Sequence, residues 1–501
     1  MPSGRWDPVV RLRRRPRHAA VVASVAVAAS VAAACGVTAG ERAVGEAPPP
    51  AEEVLGAEAP DATTTEPAPT TAPEAADVEV IGGDGSDVDA TAANAVADLE
   101  AWWAAQYPDL YGFAYRPLAG GVWAVDEGSD PAEIPCARGA VAELLDNAYY
   151  CDVEDAVVWD QQRFLPSIAE RYGPFTVAVV IAHEWGHVIQ ERARYDAPAV
   201  IAELQADCFA GAWAGHVAAG ESASFAIDAD ELDRAVAGIL SLRDAPGSQA
   251  EDPAAHGSGF DRVGAFGEGF DQGPARCAEY ASGDPRPYQF PFVREQDRAA
   301  GGDLPLTGPG DGDDIVDLTF PSLDRWWTDT YPALSGGDAW DPMEGHVAFR
   351  PDNPPRCGDS VVQDFSLFVC VPDRFVGYEA TETIPDAYDR NGDFAVATLF
   401  ATQYGLDALV QLQGSEGDPV TTALRADCLA GAWSAAVLPT EGEPPYGLVL
   451  SPGDLDEAVA VLLSFRSAED RARLGPGFDR VRAFRVGVVD GAEACLDVEP
   501  G

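Results

Sequence analysis

Basic residues are scarce in this chain of 501 residues, which has 32 lysines and arginines against 83 aspartates and glutamates. The resulting formal net charge of -51 disfavours nucleic acid and anionic membrane surfaces as partners, because both are themselves negatively charged. The acidic balance instead indicates a strongly hydrated surface. The length is sufficient for two or three domains with their own cores.

A long hydrophobic run is also lacking. The apolar stretch AAVVASVAVAASVAAA follows an arginine-rich start and is too short and small-sided for a comfortable membrane span, so residues 1–35 are predicted to be an export signal. Ala32, Ala33 and Ala34 before Cys35 resemble a bacterial lipoprotein box, which implies cleavage before Cys35 and a lipid on its sulfur. We expect a protein on the outer face of the bacterial cell membrane, attached only by this lipid; ordinary secretion is the alternative.

Aromatic and aliphatic residues are few between residues 36 and 89, where Ala, Pro, Glu, Thr and Asp dominate. Such a segment cannot bury enough apolar surface to offset the entropy of ordering. We predict a disordered tether, extended by proline and by like charge.

Histidine is rare, with six in the chain, yet two of them stand four residues apart in His183-Glu184-Trp185-Gly186-His187. Residues four apart share one helix face, so both imidazoles can bind one metal ion, with Glu184 beside it. Glu203, on a second helix that folds back after a turn, can complete the site. Asp207, one turn further, can orient a ligand histidine. We expect one Zn²⁺ per chain.

Three segments carry a resemblance to a known family: HEWGHVIQ, then AELQADCFAGAWA, and later HGSGFDRVGAFGEGFDQGPARC. Together they resemble the putative neutral zinc metallopeptidases, a family related to the zincins whose third ligand is glutamate. Val188 departs from the family, which commonly has histidine there, but no expected ligand is lost. The resemblance implies a zinc peptidase in residues 90–280, with an α+β, mainly helical zincin-like domain and a small β-sheet.

The folded part contains an internal repeat. LEAWWAAQYPDL at 99–110 recurs as LDRWWTDTYPAL at 323–334, ADCFAGAWA at 206–214 as ADCLAGAWS at 426–434, and GFDRVGAF at 259–266 as GFDRVRAF at 477–484. Because these segments keep their order, we predict two tandem copies of one domain, at 90–280 and 315–498, joined by a linker at 281–314 that is rich in Pro, Gly and Asp.

The second copy lacks the proposed metal site. Thr402, Gln403, Leu406 and Ala423 stand in the positions of His183, Glu184, His187 and Glu203. This copy is therefore predicted to be degenerate and unable to bind zinc in the same way.

The comparison between copies also sorts the neighbouring candidates. His256 faces Leu474 and so disappears together with the metal ligands, which makes it a candidate donor to a developing oxyanion; a surface histidine is the equal alternative. Asp207 persists as Asp427, which points to a partly structural role. Arg262 persists as Arg480 and is interpreted as a residue of the fold.

Paired CxxC motifs are absent, and the cysteines other than Cys35 divide evenly between the copies. They are Cys136, Cys151, Cys208 and Cys277, then Cys357, Cys370, Cys428 and Cys495. Even counts in an exported chain favour disulfides over zinc ligation. Of the three pairings possible in the first copy, we favour Cys136 with Cys151 and Cys208 with Cys277.

Periodicity predicts a helix near Val96–Gln106 and short strands around Gly112–Arg116 and Asp155–Asp160. Helices through HEWGH and ELQAD follow, and then a helix over ELDRAVAGILSLRD with Asp228 or Asp230 as N-cap.

An edge strand near Ala156–Trp159 could bind an extended peptide by strand addition.

These features predict hydrolysis of peptide bonds, with a zinc-activated water as nucleophile and Glu184 as the group that transfers its proton. The substrate would be a peptide or protein. One alternative is an exported pseudopeptidase that binds peptides or proteins without cutting them. The other is an envelope lipoprotein in which zinc only joins two helices.

Overall fold

The computed structural model describes residues 77–501 apart from short gaps, together with the backbone of residues 43–45. The gaps are 138–144, 251, 253–254, 283–284, 293–297, 300, 308–313, 363–364, 415–416, 441–442 and 465–467. The predicted export signal, Cys35 and most of the predicted tether lie outside the described residues. We call residues 77–282 the first half and residues 314–501 the second half.

The predicted tether at 36–89 overlaps with secondary structure at the few of its residues that the structure describes. Ala43–Gly45 forms strand β1, and Val80–Ile81 forms β2. The first helix, α1, begins at Asp87 with Ser86 as its N-cap, whose side chain accepts a hydrogen bond from the N–H of Asp89. A capping serine and two early aspartates favour a helix start here, so the ordered chain begins before residue 90.

The first half has seven helices and four strands among its described residues. The helices are α1 (Asp87–Tyr111), α2 (Phe164–Tyr172), α3 (Pro174–Ala193), α4 (Ala199–Ala218), α5 (Ala229–Ser241), α6 (Gly259–Gln272) and α7 (Pro274–Ala278). The strands that follow β2 are β3 (Val122–Val125), β4 (Ala148–Cys151) and β5 (Ala156–Asp160). They form a sheet of order β2-β3-β5-β4.

The second half has seven α-helices and five strands among its described residues. Its helices are α8 (Ile315–Leu334), α9 (Thr383–Asn391), α10 (Asp393–Gln413), α11 (Pro419–Ala436), α12 (Asp454–Leu462), α13 (Ala468–Leu474) and α14 (Gly477–Asp490). Its strands are β6 (Gly345–Phe349), β7 (Arg356–Cys357), β8 (Ser360–Val361), β9 (Phe365–Cys370) and β10 (Phe375–Glu379). The larger sheet has the order β1-β9-β10-β6. The expected fold class, α+β and mainly helical with small sheets, is confirmed.

Two predictions about strands are wrong. Residues 112–116 form no strand, because α1 runs on through Tyr111 and ends at Gly112, which adopts a left-handed conformation with φ of 74°. The segment Ala156–Trp159 does form a strand, β5, but it is an inner strand, parallel to β3 and antiparallel to β4. Its backbone is paired on both sides, so it cannot accept an added peptide strand. The two edge strands of this sheet are β2 and β4.

Helices α3 and α4 pack unusually closely. A methyl group added at Gly186 would lie 2.6 Å from the Cα atom of Ala206, so only glycine permits this crossing. In the second half, Gly405 meets the backbone of Ala426 in the same way, at 2.9 Å and 3.0 Å. Nearly all of α3 is buried, which explains the apolar run before its histidines.

The two halves contact each other through reciprocal helix caps. Asp456 of α12 accepts a hydrogen bond from the N–H of Phe260 at the start of α6, at 2.7 Å. Asp233 of α5 accepts hydrogen bonds from the N–H groups of Gly477 and Phe478 at the start of α14, at 3.0 Å and 2.7 Å. Each half thus satisfies backbone donors of the other, and the favourable position of a carboxylate at a helix start stabilises the contact.

Four pairs of cysteines lie at disulfide distance: Cys136 with Cys151, Cys208 with Cys277, Cys357 with Cys370, and Cys428 with Cys495. The two pairs in the first half are those that the sequence favoured. The sequence separations are 15 and 69 in the first half and 13 and 67 in the second, so the same loops are closed in both.

Closing a longer loop removes more entropy from the unfolded chain, so the two disulfides of the first half should differ in effect. Replacing Cys208 and Cys277 together by alanine is expected to lower the free energy of unfolding by about 4 kcal/mol, against about 3 kcal/mol for Cys136 and Cys151. Denaturant unfolding of the full chain measures both. A larger loss for the Cys136 and Cys151 pair would contradict this ranking.

Candidate metal centre

The candidate metal centre lies where α3 and α4 run side by side. His183 and His187 occupy successive turns of α3, and their rings are 5.0 Å apart between centroids. Arg194, in a left-handed conformation, ends α3, and α4 starts at Ala199, so the chain reverses direction over residues 195–198. Glu203 of α4 is thereby brought opposite both histidines.

The three proposed ligands converge on one point. Donor atoms of His183, His187 and Glu203 all lie within 4.8 Å of one another. Glu203 Oε2 is 3.2 Å from His183 Nε2, and Glu203 Oε1 is 3.4 Å from His187 Nε2. Although Glu203 Oε2 is buried and close to an imidazole, it has no hydrogen-bond partner among the described residues. An acceptor buried in this way is expected where a cation binds.

Asp207 fixes the orientation of His183. Its Oδ1 lies 2.7 Å from His183 Nδ1 in a buried contact. With the ring N–H donated from Nδ1, the lone pair of Nε2 points toward Glu203 and is available to a metal ion. The orienting role expected for Asp207 agrees with this geometry.

Arg262 in turn holds Asp207. Its Nε donates to Asp207 Oδ2 at 2.7 Å and its Nη2 donates to Asp207 Oδ1 at 2.9 Å, which is the bidentate arrangement that arginine favours with a carboxylate. Its Nη1 also donates to the carbonyl of Leu242, at 2.6 Å. Arg262 therefore ties α6 to α4 and reaches the site through one intermediate residue.

Gln190 does for His187 what Asp207 does for His183, and the sequence alone did not identify it. Gln190 Oε1 lies 2.9 Å from His187 Nδ1, and Gln190 Nε2 donates to the carbonyl of Ala202 at 2.6 Å. Its position three residues after His187 was the available signal, since residues three apart on a helix are neighbours. Leu409 is its counterpart in the second half, so Gln190 disappears together with the ligands.

The charges of the surrounding side chains favour a cation at this site. Burial opposes protonation of His183, but the carboxylates of Asp207 and Glu203 outweigh it and raise the pKa of His183 to about 10. Burial acts to raise the pKa of Glu203, yet His183, His187 and Arg262 hold that pKa well below its ordinary value. Positive charge at the His183 imidazole is thus strongly favoured, and a metal ion can supply it in place of a proton.

Glu184 is buried beside the histidines and is 8% exposed. Burial raises the pKa of Glu184, while His183 and His187 and the backbone N–H of Tyr150 act in the opposite direction. Tyr150 belongs to β4, which places this edge strand next to the glutamate. A carboxylate whose pKa lies above its usual range is better suited to accept a proton and release it again near neutrality.

His256 is not brought into this cluster. It lies in the loop before α6, its side chain is 56% exposed, and its Nδ1 is 3.4 Å from Asp244 Oδ1. Its N–H also donates to Asp244, at 3.0 Å. The described ring contact of His256 is thus with Asp244, and the oxyanion role stays a prediction.

The donor set suits zinc. Two histidines and one glutamate are the ligands of an important class of catalytic zinc sites, which leave a coordination position open for water. Both imidazoles have their Nδ1 hydrogen-bonded and their Nε2 directed inward, as zinc ligation requires. Within the described residues this cluster contains three such donor residues, so a closed site of four protein ligands is not built here.

The corresponding place in the second half retains its support but not its ligands. Arg480 donates to Asp427 through Nε at 2.7 Å and through Nη2 at 3.1 Å. Asp427 faces Thr402, whose Oγ1 donates to it at 3.1 Å. Leu406 and Ala423, both buried, contribute no donor atom. The aspartate and arginine therefore serve the fold here without any histidine to orient.

Residues 90–280 match the model of a family described as "Putative neutral zinc metallopeptidase". The chain is 31% identical over 155 residues to the uncharacterized protein YpfJ of Escherichia coli (strain K12), which covers 26% of this chain and 52% of that protein. It is 36% identical over 80 residues to the uncharacterized protein Rv2575 of Mycobacterium tuberculosis (strain H37Rv), covering 13% of this chain and 27% of that protein.

The chain thus spans about half the length of YpfJ and about a quarter of Rv2575. No solved structure matches the chain. The class that these findings support is a zinc metallopeptidase-like domain over residues 90–280, similar to proteins that are themselves uncharacterized. A search of the described helices for one with the length and apolarity needed to cross a membrane finds none.

The two buried aspartates offer a matched test of the orienting role. Asp207→Asn and Asp427→Asn both remove a buried charge paired with arginine, and each is expected to cost about 3–5 kcal/mol of stability. Only Asp207→Asn disturbs His183, so it should also weaken zinc binding about 10–100-fold. Competition with a zinc chelator measures the affinity, and thermal unfolding measures the stability. Equal zinc affinity in the two variants would remove Asp207 from the metal centre.

Proposed function

We propose that the first half is a zinc-dependent peptidase. The observation that carries this proposal is the convergence of His183 Nε2, His187 Nε2 and the carboxylate of Glu203, with both ring tautomers fixed by Asp207 and Gln190. A staple that only joins helices gains from a fourth protein ligand. Three metal-binding residues with a buried glutamate beside them favour a catalytic zinc site over a structural one.

A zinc ion at an open site lowers the pKa of a water ligand towards neutrality and polarises a carbonyl group. With zinc held by His183, His187 and Glu203, Glu184 would accept the proton of the attacking water and return it to the leaving amine. The buried surroundings of α3 would keep the Glu184 carboxylate in place. Asp207 and Gln190 hold the imidazoles and take no part in proton transfer.

Peptides or proteins are the proposed substrates, and strand β4 is the proposed binding edge. Among the described strands, β4 pairs only with β5, so its other edge can accept an extended peptide backbone. Tyr150 of β4 lies beside Glu184, so a peptide on this edge would pass over the metal ligands. The hydroxyl of Tyr150 donates to Asp155 and accepts from Arg192, which steadies the strand.

Replacing Glu184 by glutamine tests this mechanism. Because the amide keeps the shape of the carboxylate but cannot accept a proton, turnover should fall about 100-fold or more while zinc stays bound. Glu191→Gln, at the exposed end of α3, is the matched control and should keep both properties. Zinc content and the rate of hydrolysis of an unstructured protein substrate are the two measurements.

Three outcomes separate the candidate functions. Loss of turnover with retained zinc supports the peptidase. Full turnover in Glu184→Gln would defeat the proposed role of that residue. A zinc-loaded wild type that binds peptide but never cleaves it would support the alternative, a pseudopeptidase that recognises peptides.

We further propose that the second half is a degenerate copy of the first. Its support is a similar order of helices, disulfides that close loops of nearly matching length, and the repeated pair of buried aspartate and arginine. With threonine, leucine and alanine at the ligand positions, it would act as a packing partner for the peptidase half. The reciprocal caps at Asp233 and Asp456 are the contacts through which it would do so.

Export and lipid attachment at Cys35 are also proposals, supported by the sequence of residues 1–35. In a bacterial host with lipoprotein processing, Cys35→Ala should abolish incorporation of labelled fatty acid and move the protein from the detergent phase to the aqueous phase on phase separation. Ser30→Ala, in the same apolar run, is the control and should change neither. Wild-type protein without label would instead support simple secretion.

A further inference from the structure

A cluster of carboxylates lies outside the proposed active site, in the second half and the segment before it. Oxygen atoms of Asp303, Asp393 and Glu457 lie within 4.8 Å of one another. Asp303 precedes α8, Asp393 is the first residue of α10, and Glu457 lies in the first turn of α12. Three parts of the chain that are distant in sequence therefore place negative charge at one point.

The cluster contains buried oxygen atoms that lack partners. Asp393 is 2% exposed, and its Oδ1 has no hydrogen-bond partner among the described residues. The same holds for Oδ1 of Asp454, which is 4% exposed and lies one turn before Glu457 on α12. Their other oxygens accept from backbone: Asp393 Oδ2 from the N–H of Leu304 at 2.8 Å, and Asp454 Oδ2 from that of Ser451 at 2.7 Å.

Glu457 is held in the same manner. Its Oε2 accepts a hydrogen bond from the N–H of Phe394 at 2.8 Å. A methyl group at Gly392 would lie 2.1 Å from the carboxylate carbon of Glu457, so this carboxylate packs directly against the glycine. A backbone N–H thus holds one oxygen of each of these three carboxylates.

No positive charge compensates this concentration of carboxylates in the contacts described. Burial, followed by the charges of Asp393 and Asp303, raises the pKa of Glu457 to about 9. Burial, followed by the charges of Asp393 and Glu457, raises the pKa of Asp454 well above its ordinary value. Carboxylates brought together in this way are costly unless a proton or a cation lies between them.

The first half has different residues at the position equivalent to this carboxylate cluster. Gly173, which precedes α3, corresponds to Gly392, which precedes α10. Next to Gly173 lies the guanidinium of Arg234, paired with Asp230, whereas next to Gly392 lies the carboxylate of Glu457. The first half therefore has the positively charged Arg234 where the second half has Glu457. Next to this position, Pro174 of the first half corresponds to Asp393 of the second.

We propose that Asp303, Asp393 and Glu457 bind one calcium ion, with the buried carboxylate of Asp454 adding negative charge beside them. The donors are all oxygen, without histidine or cysteine, which suits a hard cation and not zinc. Calcium accepts six to eight oxygen ligands in flexible geometry, so carboxylates from three chain segments, with water, can satisfy it. The ion would fasten the segment around Asp303 to the starts of α10 and α12.

Calorimetric titration of the full chain with calcium chloride, after chelation and reloading with zinc, tests this proposal. We expect one calcium ion per chain, bound with a Kd of about 10⁻⁶ to 10⁻³ M. Thermal unfolding of the same samples should shift to higher temperature as calcium is added. Asp393→Asn and Glu457→Gln should each weaken binding roughly ten-fold or more, because each removes a charged ligand.

Two controls make the result specific. Asp389→Asn removes an exposed acid from the neighbouring helix α9 and should leave calcium binding unchanged. His183→Ala empties the zinc site and should also leave it unchanged, so failure here is distinguishable from failure of the peptidase proposal. Asp303→Asn, which lies outside the helices, serves if a buried variant does not fold. No calcium binding by the wild type, or equal binding by wild type and the cluster variants, would overturn the proposal.

Discussion

The contact between Asp207 and Arg262 is the interaction on which the site and the helix packing both depend. A carboxylate that is 1% exposed would be very unfavourable alone, but here it accepts two hydrogen bonds from one guanidinium and one from an imidazole. Removing either partner would leave a buried charge. The pair therefore joins α4 to α6 and fixes His183 at the same time. Asp427 and Arg480 repeat the first of these functions without the second.

Close helix packing is the second constraint. Gly186 lets α3 approach α4, and Gly211 and Gly269 let α4 approach α6, where an added methyl group would lie 1.9 Å or less from a backbone oxygen. Because the helices touch backbone to backbone, the three ligand side chains have little freedom to move apart. A preformed site of this kind loses little entropy when a metal ion binds.

Local spacing made part of this site predictable. His183 and His187 share one face of α3 because they are four residues apart, and Glu203 and Asp207 share one face of α4 for the same reason. These four residues of the cluster could therefore be predicted from the sequence. Gln190 was missed although its contact with His187 is local to α3, and Tyr150 was missed because its contact with Glu184 depends on how β4 packs against α3. The position of β5 inside the sheet was missed for the same reason: strand order is set by distant pairing, and a buried run of Ala, Val and Trp is compatible with either place. The calcium site proposed around Asp393 is entirely non-local, since its residues come from positions 303 to 457.

Comparison of the two halves distinguishes residues that support the fold from residues that form the candidate metal centre. The disulfides, the glycine at the α3 crossing and the buried aspartate with its arginine occur in both halves, so they belong to the scaffold. His183, His187, Glu203 and Gln190 occur in one half only, and the residues in their places are smaller or apolar. An uncompensated cluster of histidines and carboxylates is costly to bury, and the residues at these places in the second half avoid that cost. Asp393 and Glu457 differ from this pattern: they are acidic residues of the second half, whereas Pro174 and Arg234 stand in the equivalent places of the first half. Charge that persists at such a cost is best explained by something that it binds.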